Sequence, residues 1–171
     1  MAEAKQEESF VVTGYWTPRR VARMAIFIAL AAVGALIKIP SPTGTVALDA
    51  APGYFSAISF GWLEGGIVSL FGHLLTAATT GFPLGIPIHI LVAFEQFVWA
   101  TAYWFVKEKV NLWAGAVVAT FLNGVVGALT AILIGGVGLF VALLPGLLIA
   151  SAINAFLAAI AYLVVKRSGI I

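Results

Sequence analysis

The sequence predicts an all-α integral membrane protein of six transmembrane helices with both termini cytoplasmic, and three observations predict it. First, the 171 residues are 62% hydrophobic and 9% charged, with a mean hydropathy of +1.09, where a soluble domain carries about 25% charged residues. Second, apolar runs recur along the chain between Gly and Pro breaks. The run from Ile86 to Val106 matches the roughly 20 helical residues that cross a hydrocarbon core of about 30 Å. Third, eight of the nine basic residues (Lys5, Arg19, Arg20, Arg23, Lys107, Lys109, Lys166 and Arg167) fall at the amino end, after the fourth run or at the carboxyl end. Only Lys38 falls opposite, and this positive-inside bias sets the orientation.

Residues 1–18 hold Glu3, Lys5, Glu7 and Glu8 without apolar periodicity and read as a solvated cytoplasmic tail. Residues 19–171 read as a single six-helix membrane domain with an outward-facing pocket. Arg19, Arg20 and Arg23 precede the first apolar run, which ends at Ile37. Twin arginines before an apolar segment imitate a secretory signal, but the whole chain that follows is equally apolar. Ala22, Ala25, Ala29 and Ala32 form a stripe of small residues that lets another helix approach, whether a partner's or one of its own.

Pro40, Pro42 and Gly44 break the chain after the first helix, and Asp49 is placed to N-cap the second, with Pro52 tolerated in its first turn. That helix, Ala50 to Leu63, is about 21 Å long at 1.5 Å per residue, too short for the bilayer. Irregular backbone at membrane depth is tolerated where it is buried in protein or lines a cavity, so Ile39–Asp49 is expected to form a lid over a recess. Gly61 to Gly65 is read as a tight turn. The third helix, Gly65 to Thr80, carries His73, Thr76 and Thr80 on one face. The fourth ends at Lys107-Glu108-Lys109. The fifth starts near Asn111 with Thr120, Asn123, Gly127 and Thr130 along one side, until Gly135, Gly136 and Gly138 break it. The sixth starts near Leu139, contains Pro145, Gly146, Ser151 and Asn154, and ends at Lys166-Arg167.

The fourth helix carries the chemistry. His89, Gln96 and Tyr103 share a face at spacing seven, and Glu95 lies one step round beside Trp99 at i+4. A carboxylate at mid-depth persists mainly where it faces protein, a partner or a water-filled cavity. Asp49, His89, Glu95, Gln96, Trp99, Asn123 and Asn154 are therefore the candidate substrate-binding residues. Their amides and carboxylates suit hydroxyl groups, and Trp and Phe faces suit a planar heterocycle. With Lys38 as the one cation within reach, strongly anionic ligands are disfavoured. The absence of cysteine removes thiolate chemistry and Cys-ligated zinc. His73 and His89 fit no metal motif, so no metal, no cofactor and no enzymatic activity are expected, and the basic residues have a topological rather than a nucleic-acid-binding role. The length leaves no room for a nucleotide-hydrolysing domain, so ATP-driven work falls to partners. A solo proton-coupled carrier built on Glu95 and a histidine is the alternative.

These features together resemble the substrate-binding S component of energy-coupling-factor (ECF) vitamin transporters, from Thr17 to Arg167. The matching parts are six short helices, the stripe Ala25-Ile-Phe-Ile-Ala29 and the Gly61 to Gly65 motif. The resemblance implies a vitamin pocket built by the first and third loops and helices four to six. It also implies a docking face at Ala22, Ala25, Ala29 and Ala32 for a transmembrane T component driven by two ATPase subunits. Within the family, PSPTGTVALDAAPG and GHLLTAATTGFPLGIPIH look most like the α-ribazole transporters of cobalamin salvage, CblT, with riboflavin and thiamin S components as alternatives. Asn154 corresponds to a family asparagine on helix six, though Ala150-Ser151 stands where a basic residue is frequent.

Overall fold

The computed structural model describes residues 15–171, so the tail assigned to residues 1–18 lies almost wholly outside the described residues. Six helices follow in order among the described residues: α1 (Pro18–Gly34), α2 (Ala51–Phe60), α3 (Trp62–Thr79), α4 (Ile86–Lys109), α5 (Leu112–Leu129) and α6 (Ile132–Arg167). Of these, α4, α5 and α6 are long and apolar enough to cross a membrane. Large apolar side chains such as Ile26, Val33, Phe94, Val117, Val141 and Ile160 are exposed around the bundle. That is the surface expected where the solvent is lipid.

Local chemistry explains the helix ends. Thr17 accepts a hydrogen bond from Arg20 N (3.3 Å) with Pro18 in the first turn, and Asn111 accepts from Ala114 N (2.8 Å). Gly61, at φ +115°, alone separates α2 from α3. The expected turn over Gly61–Gly65 is therefore one residue long, and Glu64 already sits in the first helical turn of α3. Gly65 is there for packing: a Cβ on it would lie 2.2 Å from the Ala57 side chain.

The glycine break before the sixth helix falls at Gly136 (φ +65°), with a helical turn from Ile132 before it. Pro145 lies inside the helix rather than starting it. A five-residue π turn, Leu122–Val126, widens α5. It shifts the register expected for that face: Asn123 and Thr130 are buried, whereas Thr120 bonds its own helix at Ala116 O (2.8 Å).

Two apolar clusters of buried residues form the core. The larger packs Tyr54, Ala57, Ala100, Tyr103, Ala116, Ala119, Ala155, Ala158 and Tyr162. It is built from small residues, which let helix backbones approach without a hydrophobic driving force between them. The smaller joins Val46 of the lid to Ala131, Leu143 and Ala150. The lid is a short hairpin tied by Ile39 N to Val46 O (3.0 Å) and Leu48 N to Ile37 O (3.1 Å). It lies against two glycines, since a Cβ on Gly34 would sit 2.1 Å from Leu48 O and one on Gly146 2.8 Å from Pro40 O.

Candidate functional site

On α4 the buried residues are His89, Ala93, Gln96, Ala100 and Tyr103, a stripe at alternating steps of four and three. Its upper half borders a cavity of about 80 Å³ beneath the lid. Six of the seven expected residues line this cavity: Asp49, His89, Glu95, Gln96, Asn123 and Asn154. Trp99 does not. One helical turn below Glu95, it packs on the alanine and tyrosine cluster, with Nε1 3.7 Å from where a Gly127 Cβ would stand. The lining contains His73, Thr43, Thr45 and Thr130 as well. The face shared by His73 and Thr76 and the side of α5 that carries Thr130 were the signals that pointed to two of them.

Asp49 is not a cap. Its Oδ2 accepts from Thr76 Oγ1 (2.5 Å), and α2 begins after Ala50 without a side-chain cap of its own. The first turn of α2 is served from another helix, since Asn154 Oδ1 accepts from Ala51 N (2.8 Å). Asn154 Nδ2 donates to Ala47 O (3.0 Å) and Ala150 O (2.9 Å). Both donor hydrogens of this amide are thus spent on the protein. Asn154 ties the lid and α2 to α6, and its part in the site is to hold the lid down.

Glu95 and Gln96 differ from Asn154 in having polar atoms left over. Thr130 Oγ1 donates to Glu95 Oε1 (2.6 Å), and Gln96 Nε2 donates to Asn123 Oδ1 (2.7 Å). Glu95 Oε2 and Gln96 Oε1 are buried without a partner among the described residues. A buried acceptor left unmatched costs about 1–3 kcal/mol, and of the buried side-chain atoms without a partner among the described residues these two are the ones on residues lining the cavity. The histidines form a pair, His73 Nε2 to His89 Nδ1 at 3.2 Å, and Leu84 N donates to His89 Nε2 (3.4 Å).

Among the described residues no Lys, Arg, Trp, Tyr or Phe lines the cavity. The expected aromatic stacking platform is therefore not in the wall, where the flat surfaces are the two imidazoles, His73 and His89. Drug-sized ligands occupy pockets of roughly 300–1,000 Å³, so a vitamin-sized molecule requires the lid to lift from this arrangement. Among the described residues the lining carries carboxylates at Asp49 and Glu95 and no Lys or Arg, an arrangement that suits hydrogen-bond donors and disfavours an anion.

A polar cavity roofed by a loop inside an apolar helical bundle defines a membrane-embedded protein that binds a small molecule. Residues 19–166 match the family model described as ECF transporter, substrate-specific component, and the chain belongs to that family. Such components are substrate-binding subunits of transporters and not enzymes. The fold is similar to that of a solved structure of the S component of a bacterial ECF transporter. The two share 20% sequence identity with a TM-score of 0.59 over 88% of this chain and 94% of the other. No curated protein gives a significant match.

Proposed function

We propose that this S component captures a hydroxyl-bearing, non-anionic vitamin precursor, with α-ribazole, a neutral benzimidazole riboside, as the substrate. The observation that carries the reading is the pair of buried, unpartnered oxygens, Glu95 Oε2 and Gln96 Oε1. Ribose hydroxyls would satisfy both, and biotin or pantothenate would bring a carboxylate beside two others. A thiamin-like cation is the second reading, favoured by Asp49 and Glu95 facing one cavity with no Lys or Arg in its lining among the described residues. Riboflavin ranks lower, since its tricyclic ring calls for aromatic walls. Calorimetric titration of the purified protein separates these. Saturable binding of α-ribazole with no response to biotin or pantothenate is expected. Tight binding of an anionic vitamin would overturn the reading, and preference for thiamin would select the second one.

Energy is taken from partners, a T component with two ATPase subunits, and both termini face the cytoplasm where those subunits work. Convergence of Lys107 and Lys166 on the Tyr162 ring (5.0 and 5.6 Å) supports a single basic end. The docking face is the alanine stripe of α1. Ala22, Ala25 and Ala29 are exposed and Ala32 is half-buried, while Met24, Ala31 and Gly34 form the buried side of α1. Internal packing therefore does not account for the stripe. Ala25→Trp or Ala29→Trp is expected to abolish co-purification with the energising subunits and leave substrate affinity within about twofold, a change of less than 0.5 kcal/mol. Loss of substrate binding with the complex intact would refute this assignment. Proton-driven uptake without the ATPases would favour the solo carrier.

A further inference from the structure

The histidine pair sets a hydrogen-bond polarity that runs from Leu84 to His73. A backbone N–H can only donate, so His89 Nε2, which receives Leu84 N at 3.4 Å, is an acceptor. A neutral imidazole with Nε2 accepting carries its proton on Nδ1. His89 Nδ1 then donates to His73 Nε2 across 3.2 Å. His73 Nε2 being an acceptor in turn, its own proton is on Nδ1. That nitrogen has no hydrogen-bond partner among the described residues and is not among the buried unpartnered atoms. His73 lines the cavity, whose buried unpartnered side-chain atoms among the described residues, on Glu95 and Gln96, are acceptors.

We propose that His73, its tautomer set by the relay from Leu84 through His89, presents its Nδ1–H to an acceptor on the substrate, so that the site selects a heterocycle with an unprotonated ring nitrogen. The inference rests on the cavity being the substrate site, as proposed above, and it adds a specificity-determining contact to it. The Phe82 ring packs edge-on against His89 (5.7 Å, 70°), which holds the relay under the turn between α3 and α4. The charged groups facing the cavity are Asp49 and Glu95, and neither takes a hydrogen bond from either imidazole.

The test compares two probes, α-ribazole and the matching dimethylindole riboside, in which the acceptor ring nitrogen is replaced by C–H. The wild-type protein is expected to prefer the benzimidazole by roughly tenfold, the range for one hydrogen bond with a partly desolvated partner. His73→Phe is expected to bind both ribosides equally, and His89→Phe, which releases the tautomer, to lose part of the preference. Nitrogen-15 NMR of the histidines reads the relay without any ligand, and both rings should be protonated at Nδ1. A preference unchanged in His73→Phe, or His73 protonated at Nε2, overturns the proposal and leaves the cavity reading standing. Failure of the wild-type protein to bind either riboside overturns the substrate reading itself, and this inference with it.

Discussion

Replacing Arg20 and Arg23 together by alanine is expected to lower the stability of the bundle by about 3–5 kcal/mol, the cost of stranding one partner of a buried ion pair. Glu64 is fully buried in the first turn of α3. Arg23 Nε and Nη2 reach its two oxygens at 2.9 and 2.6 Å, and Arg20 Nε lies 2.8 Å from Oε1. The Arg23 guanidinium is also stacked over the Phe60 ring, with Cζ 3.8 Å from the centroid. With both arginines removed the carboxylate keeps its burial and loses its counter-charges, although it retains a favourable place at a helix N-terminus. Adding Glu64→Gln to the double variant should restore most of the loss, because the stranded charge is then gone. Unfolding in detergent, followed for all three variants, reads the difference. A triple variant as unstable as the double would mean that the arginines act through packing on Phe60 and not through charge. This clasp fastens α1, the proposed docking helix, to α3, so the double variant should also weaken assembly with the energising subunits.

How far the sequence could be read follows from what kind of force places each residue. Positions fixed by periodicity along one helix were legible. The spacing of His89, Gln96 and Tyr103 is the buried stripe of α4, and the cost of placing Glu95 in hydrocarbon pointed to the cavity. Residues whose roles depend on a second helix were not. Arg20 and Arg23 read as orientation signals because their partner lies 41 residues from Arg23, inside a segment that looked like a turn. Asp49 looked like a cap because an acidic residue precedes Ala-Ala-Pro, whereas Asn154, more than 100 residues away, supplies that bond. Trp99 obeys its i+4 relation to Glu95, but four residues are also one turn of depth, and that turn carries it out of the cavity into the core. The π turn at Leu122–Val126 has no local sequence signature, and it is what brings Asn123 to Gln96.

In the proposed site, Glu95 and Gln96 hold the substrate by acceptors left unpartnered among the described residues. Glu95→Gln tests it best, because Thr130 can still donate to the amide oxygen while the second acceptor becomes a donor. A hydrogen bond to a charged group contributes about 1.5–3 kcal/mol, so substrate affinity should fall roughly 10- to 150-fold, with the ligand-free melting temperature unchanged or raised. Gln96→Leu should lose affinity too, and it should also lose stability, because Asn123 Oδ1 is left without its donor. The measurement is calorimetric titration of α-ribazole into wild-type and Glu95→Gln protein, beside their ligand-free melting temperatures. A 10-fold or greater loss of affinity at unchanged stability is the predicted result. Affinity equal to wild type, with the change confined to stability, would make Glu95 a strut between α4 and α5 and not a substrate ligand.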